Sequence, residues 1–308
     1  MNVLVTGAAG FLGAHAVRRL LDDGWAVTAR DLVPPDEAWR LDALAIRGHA
    51  GLRYEWGGVE DVRSLGGATH VVHCAAATDV GNTAANPMTA LGRTVPPTVA
   101  LLEAARRSDA LERFVLVSSH SVYGNQAVQP IWEDVVPAPG NLYGALKVMQ
   151  EQAAQAYQRS YGVPVAVVRS ATLFGAHIRA GAVVRTFLER ALRDEAITVS
   201  GDGRQSRDLN HVENTVDGLM AALDRPGAVG GVFNVGSGVD VSILSLAERC
   251  IALMGGGRVE HVPSRPGEEG RLSLALDRAG DVLGYKPRIA LDEGLGLTAE
   301  WVRTMGGR

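Results

Sequence analysis

Cysteine is nearly absent from this 308-residue chain. Cys74 and Cys250 are its only two, too few for a disulfide framework or a cysteine-based zinc site, and neither lies in a CxxC pair. No uninterrupted apolar run reaches about 18 residues, which excludes a transmembrane helix. The start, MNVLVTGAAG, has no basic segment and no cleavage-type end, so a signal peptide is not expected and a cytoplasmic location is. No Lys/Arg block exceeds two residues and the net charge is −4, which argues against sequence-independent nucleic-acid binding. Internal repeats and low-complexity segments are missing too. Nothing resembles the G-x-S-x-G turn of a hydrolase, so Ser118, His120 and Asp79 do not read as a triad. With 46% hydrophobic and 21% charged residues, the chain has material for a large core.

What the chain has is glycine, 37 of them, many just after apolar β-branched runs. Val3-Leu4-Val5 reads as a strand, Phe11 to Leu21 as a helix stopped at Asp22-Asp23-Gly24, and Trp25 to Ala29 as a second strand ending at Arg30-Asp31. Strands are expected at Leu52–Trp56, His70–His73, Phe114–Val117 and 164–169, with helices at Pro97–Arg107 and Tyr143–Ser160. Strands apolar on both faces, alternating with helices, predict an α/β fold with a parallel sheet. Residues 1–169 are expected to form this dinucleotide-binding domain, completed by about 207–235. Residues 170–308 are expected to form mainly a smaller C-terminal α/β substrate lobe, with helices at Val183–Arg193 and Ser242–Met254 and a terminal helix.

Two groups of residues carry chemistry. Thr6-Gly7-Ala8-Ala9-Gly10-Phe11-Leu12-Gly13 follows a strand and opens a helix. Its glycines permit a tight turn, a close approach of pyrophosphate to backbone, and helix–sheet packing. Asp31 lies 18 residues past Gly13, where a carboxylate accepts from an adenosine ribose; it would repel the extra phosphate of NADP, so NAD is favoured, although Arg30 beside it weakens that preference. Tyr143 and Lys147 stand four apart on one helix face, so that an ammonium there lowers a phenol's pKa and lets it exchange a proton with a substrate hydroxyl. Ser119, at a strand end, can bond the same oxygen. A Tyr and a Lys at this spacing are most often a solvated pair; the strand ending Ser118-Ser119 and the glycine turn favour function.

Together these elements resemble the extended short-chain dehydrogenase/reductase superfamily, in its NAD-dependent epimerase/dehydratase branch, with a likeness to UDP-sugar 4-epimerases. The resemblance also rests on His73-Cys74-Ala75-Ala76, on Ser118 to Gly124 (SSHSVYG), on Gly201-Asp202-Gly203 followed by Arg207 to Val212, on Asn234 to Gly238, on Arg265-Pro266-Gly267-Glu268 and on Leu283 to Pro287. It implies a Rossmann-like doubly wound parallel sheet with a smaller C-terminal α/β substrate lobe, and NAD held by Gly7, Gly10, Phe11, Leu12, Asp31, Val59, Ala75, Ala76, Tyr143 and Lys147. It implies that Tyr143 is the acid/base, that Lys147 lowers its pKa and binds the nicotinamide ribose, and that Ser119 orients the substrate hydroxyl. The substrate is expected to be a nucleotide-diphosphate sugar, contacted by Ser119, His120, Ser121, Thr172, His177, Arg207 and Arg265. Guanidinium forks suit diphosphate oxygens, although Arg207 and Arg265 can equally pair with Asp208 and Glu268. No metal is expected, and a homodimer is, through the helices matching Thr94–Arg107 and Tyr143–Ser160.

The two positions after Ser119 narrow the reaction. Dehydratases and decarboxylases of such families carry carboxylates there; this chain has His120 and Ser121. That leaves 4-epimerisation by transient oxidation. The alternative is an NAD(P)-dependent dehydrogenase or reductase of a sugar or other hydroxy compound, which uses the same residues. A non-catalytic NAD-binding protein is a third reading, opposed by the intact Ser119, Tyr143 and Lys147. Several positions depart from the family pattern. Thr94, Thr172 and Thr186 stand where asparagines are usual, and Ser170 where proline follows the arginine. Gly58 stands where an adenine-contacting acid is usual, with Glu60-Asp61 just after. Thr has one donor where Asn has two, so the substrate pocket is expected to differ more than the cofactor site.

Overall fold

The structure is a computed structural model and describes residues 1–263 and 270–306. Its strands, in chain order, are β1 (Asn2–Thr6), β2 (Ala26–Asp31), β3 (Leu52–Trp56), β4 (His70–His73), β5 (Arg113–Ser119), β6 (Val165–Ser170), β7 (Thr172–Phe174), β8 (Ala196–Ser200), β9 (Ser206–His211), β10 (Val232–Val235), β11 (Asp240–Ser242) and β12 (Arg258–Val262). Seven of them form one sheet in the order β10-β6-β5-β4-β1-β2-β3, every neighbouring pair parallel. The order reverses between β1 and β4. In open parallel sheets, ligands bind at such a switch point, outside the carboxyl ends of the strands.

β4, β5 and β6 are buried along their whole length, which is why they read as continuous apolar runs and not as alternating ones. Of the polar exceptions, His73, Ser118, Ser119, Arg169 and Ser170 stand at the carboxyl ends of those strands, and His70 and Arg113 at the amino ends. Helices cover both faces. Phe11–Asp22 and Val212–Asp224 share one core with Val5, Val72, Val115 and Val168. On the other face, Leu101 and Leu102 of the Val95–Arg106 helix and Ala154 of the Leu142–Tyr161 helix pack on Leu4, Val71, Phe114 and Leu116. Pro96 and Pro97 open the former helix, where their missing N–H groups cost nothing. Asn141 caps the latter, its Oδ1 accepting from the Gly144 amide at 2.9 Å.

The remaining strands make a three-stranded sheet, β11-β9-β7, and a parallel pair, β12-β8. With the helices Val183–Leu192, Ile243–Met254 and Leu291–Gly306 they enclose a separate core around Phe174, Leu188, Leu246, Cys250 and Leu295. β6 runs through Ser170. Of residues 207–235, β10 pairs with β6, and the Val212–Asp224 helix and Ala228 pack in the core on the large sheet. β9 belongs to the small sheet, between β7 and β11. Among the described residues no helix is long and apolar enough to cross a membrane, and no group of three His, Cys, Asp or Glu side chains is placed to hold a metal ion.

Candidate active site

The glycine turn is built as its sequence predicts. The Gly7 and Ala8 amides donate to the Arg30 carbonyl at 3.0 and 3.4 Å, and the Gly10 amide donates to the Gly7 carbonyl at 3.0 Å. Gly7 has φ +71°, and a Cβ there would lie 2.8 Å from the Ala75 nitrogen. The turns after β1 and β4 therefore touch, backbone on backbone, at the switch point, and leave the cradle a dinucleotide diphosphate needs. Asp31 reaches back to this turn: its Oδ2 accepts from the Ala9 amide at 2.8 Å and its Oδ1 from the Val33 amide at 3.1 Å. A carboxylate has about four acceptor positions, so ribose hydroxyls can still bond to it. Leu12 and Val59 are buried, while Phe11, Ala75 and Ala76 are half-buried around the turn.

Two doubts raised by the sequence find physical answers here. Arg30, beside Asp31, is engaged by Glu55 at 3.0 Å and by the Gly58 carbonyl at 2.9 Å. Gly58 lacks the acid expected at its position, but the Glu60 carboxylate folds back over it and fills the space its side chain would take.

Gly7→Ala is expected to cost about 1–3 kcal/mol through its left-handed backbone and to push the Ala75 backbone out of the cradle. Thermal unfolding with and without added NAD checks this. The variant should melt lower and gain less from NAD than the parent; an equal gain would mean the turn does not hold the dinucleotide.

Ser119 ends β5 and is buried; its Oγ accepts from the Ser121 amide at 3.2 Å, fixing the short helical turn His120–Val122. Tyr143 is half-buried in the first turn of the Leu142–Tyr161 helix. Burial pushes its phenol pKa up, and a hydrogen bond from Ser119 works in the opposite direction. Ser119 and Tyr143 are thus neighbours. Lys147, one helical turn on, is buried; burial pulls its ammonium down to about 8, while Cys74 and Glu151 oppose the shift. Its Nζ donates to the Gln150 Oε1 at 2.6 Å.

The other expected contacts are placed more variously. His120 Nδ1 lies 3.2 Å from the Ser170 carbonyl, on β6, and Ser121 is buried beside Ser119. Thr172 opens β7, half-buried. His177 has a left-handed φ of +67° and sits among rings: Trp301 at 5.4 Å, Trp39 at 6.1 Å and His15 at 6.3 Å. Arg40 Nε donates to its carbonyl at 3.0 Å and Arg40 Nη1 to the Ala9 carbonyl at 3.2 Å, so the guanidinium ties this segment to the glycine turn. His177 is packed against His15 of the glycine-turn helix. Arg207 is half-buried on β9 with Nη1 on the Ser206 carbonyl. Asp208 faces the other way, its carboxylate taken by the Ser237 amide and hydroxyl and by the Gly238 and Leu274 amides. Arg265 lies outside the described residues. Thr94, where asparagine is usual, is buried and accepts from the Ala77 amide at 3.1 Å, holding the segment after β4.

Sequence reading missed Gln150, the direct partner of Lys147. It also missed the buried Glu151–Arg169 pair, 2.7 Å apart, which fastens the Tyr143 helix to β6. The only sequence signal was the i, i+3 and i, i+4 spacing from Lys147 along one helix.

The sequence profile of the NAD dependent epimerase/dehydratase family matches residues 3–236. A dTDP-glucose 4,6-dehydratase of Streptomyces niveus is 32% identical, the match covering 98% of this chain and 93% of that one. A UDP-glucose 4-epimerase of Mycolicibacterium smegmatis is also 32% identical, over 98% of this chain and 99% of that one. The crystal structure of a UDP-glucuronic acid 4-epimerase from Bacillus cereus, in complex with UDP-glucuronic acid and NAD, superposes with a TM-score of 0.92 at 26% identity and covers 99% of this chain and 100% of that one.

Proposed function

Because the chain belongs to the NAD dependent epimerase/dehydratase family, we propose that it is an NAD-dependent nucleotide-sugar epimerase that inverts C4 through a 4-keto sugar. What supports this reading is Ser119 beside Tyr143, with Lys147 buried one helical turn on, together with His120 and Ser121 where water elimination would call for carboxylates. Both a dehydratase and epimerases are among the relatives, so overall likeness does not separate the two; these two positions favour the epimerase.

The chain's residues divide the work. Gly7, Gly10, Phe11, Leu12, Asp31, Val59, Ala75 and Ala76 would hold NAD, whose chemistry when bound is reversible hydride transfer. Tyr143 Oη takes the proton of the C4 hydroxyl and later returns it. Its buried site raises the phenol's pKa, so it needs help to ionise: the Ser119 hydrogen bond, and the positive charge of Lys147 one turn along the helix. Ser119 also orients the sugar oxygen. A keto sugar that turns over in the pocket presents its other face to the same Tyr143, so inversion needs no second acid. Arg207 and Arg265 are proposed for the diphosphate, and His120, Ser121, Thr172 and His177 for the sugar and nucleotide side. Of these, His177 has the weakest support, since its ring is packed among Trp39, Trp301 and His15.

We also propose a cytoplasmic homodimer. Both cysteines are free thiols, as a reducing compartment keeps them. Met149 and Tyr161 stand exposed on the Leu142–Tyr161 helix, which packs on the Val95–Arg106 helix in the pair of helices proposed for dimer contact.

Native mass spectrometry of the purified protein, followed by addition of UDP-glucose, UDP-galactose, UDP-glucuronic acid and dTDP-glucose, tests the reading. The expected result is retained NAD and conversion of one sugar to its C4 epimer with no net NADH. Stoichiometric NADH would make the protein a dehydrogenase, and a keto product that has lost water would make it a dehydratase.

A further inference from the structure

Lys147 is held by a buried, directional chain of neutral groups. Gln150 Oε1 accepts from its Nζ at 2.6 Å, and Gln150 Nε2 donates to Thr98 Oγ1 at 2.6 Å and to the Thr94 carbonyl at 3.3 Å. Thr98 Oγ1 donates in turn to the Thr94 carbonyl at 2.7 Å. Its hydrogen is therefore spent, and it must accept from His73 Nε2, 2.8 Å away. That fixes the His73 tautomer: Nε2 carries the hydrogen, and Nδ1 accepts from Thr6 Oγ1 at 2.7 Å. Each direction follows from the one before. The amide of Gln150 can be placed only one way round, with its oxygen on Lys147.

We propose that Gln150 is a positioning residue for Lys147: a neutral amide, oriented by Thr98 and the Thr94 carbonyl, that aims the Lys147 ammonium along the Tyr143 helix without adding a charge beside it. The proposal rests on the acid/base reading of Tyr143 and Lys147 given above. Of the other groups around Lys147 one carries charge, Glu151, and that carboxylate is shared with Arg169. From β4 and the turn after it come His73, which burial and the Lys147 charge pull down to about 3, and Cys74, which burial pushes up to about 12; both are uncharged near neutral pH. From its own helix comes Glu151, committed to Arg169 and to the Ser118 hydroxyl. From the Val95–Arg106 helix and its N-terminal cap come only Thr98 and Thr94. In these surroundings the choice of acceptor sets the Lys147 pKa, and through it the ionisation of Tyr143.

The experiment uses the full-length protein and does not depend on the reaction. Lys147 and Lys286 are the chain's only lysines, so labelling with ¹³Cε-lysine gives two resonances, assigned by Lys286→Arg. A pH titration of Lys147 is then run on the parent, Gln150→Glu, Gln150→Met and Thr98→Val. Gln150→Glu places a carboxylate on the ammonium and is expected to raise the midpoint by about one unit or more. Gln150→Met removes the acceptor and is expected to lower it, and Thr98→Val, which frees the amide, to shift and broaden it. The alkaline limb of the activity profile, where Lys147 loses its proton, should move with the resonance. A Lys147 midpoint that stays at the parent value in the folded variants overturns the proposal. If the resonance shifts as expected but no epimerase activity exists, the reaction assignment fails and the role of Gln150 stands.

Discussion

Tyr143→Phe is expected to lower turnover by about 10²–10⁴-fold, the range for loss of a positioned acid/base, while NAD stays bound. The substitution removes one hydroxyl and keeps the ring, so the half-buried first turn of the Leu142–Tyr161 helix retains its packing. The Asn141 cap and the Lys147–Gln150 contact do not involve the phenol and should persist. What disappears is the only group among Ser119, Tyr143 and Lys147 able to cycle between phenol and phenolate at the C4 oxygen. Ser119 cannot replace it, because a serine hydroxyl does not ionise in the working range and its oxygen already caps the turn at Ser121. Turnover of the UDP sugar that the parent converts, together with NAD content by native mass spectrometry, checks both halves. Activity within tenfold of the parent would remove Tyr143 from the chemistry; lost NAD would make its role one of binding.

The parts of this site legible in the sequence are those made by local chain geometry. The glycine turn, Asp31 at the next strand end and the placing of Tyr143 and Lys147 on one helix each depend on spacing along one or two adjacent elements. What stayed hidden depends on distant pairing. Gln150 reads as one more polar helix residue until the chain brings it against Thr98, 52 positions earlier. β10 is four residues long and becomes the sheet's edge only by pairing with β6, so the sequence reads 164–169 as the last strong strand. The Glu60 carboxylate occupies the space beside Gly58 by a side-chain fold-back that spacing does not encode. His177 reads as a pocket histidine from its place in the chain, yet its positive φ turns it into a cluster of rings drawn from three other segments.

The same logic makes Arg169 the position where a single change should hurt stability most. Its guanidinium is nearly fully used: Nε and Nη2 bond to Glu151 at 3.0 and 2.7 Å, and Nη1 bonds to the Tyr123 hydroxyl at 2.9 Å and the Glu133 carbonyl at 3.0 Å. Burial works against its charge, yet the hydrogen bonds and charge of Glu151 outweigh it and hold its pKa above the ordinary value. Arg169 and Glu151 are only 4% and 1% exposed, so Arg169→Met strands a buried carboxylate, and Glu151→Leu strands a buried guanidinium. Either is expected to cost about 3–5 kcal/mol, a large share of the roughly 5–15 kcal/mol that holds a domain together. The double variant should cost clearly less than the two singles added, because no lone charge remains. Urea unfolding of the parent and all three variants measures this cycle. A single variant that unfolds like the parent would show that the pair is not what fastens the Tyr143 helix to β6. The catalytic consequence is indirect but specific: Ser118 bonds to the same Glu151 at 2.5 Å, so loosening the pair frees the strand end that presents Ser119. A partly folded Arg169→Met enzyme should therefore lose turnover beyond its loss of folded protein.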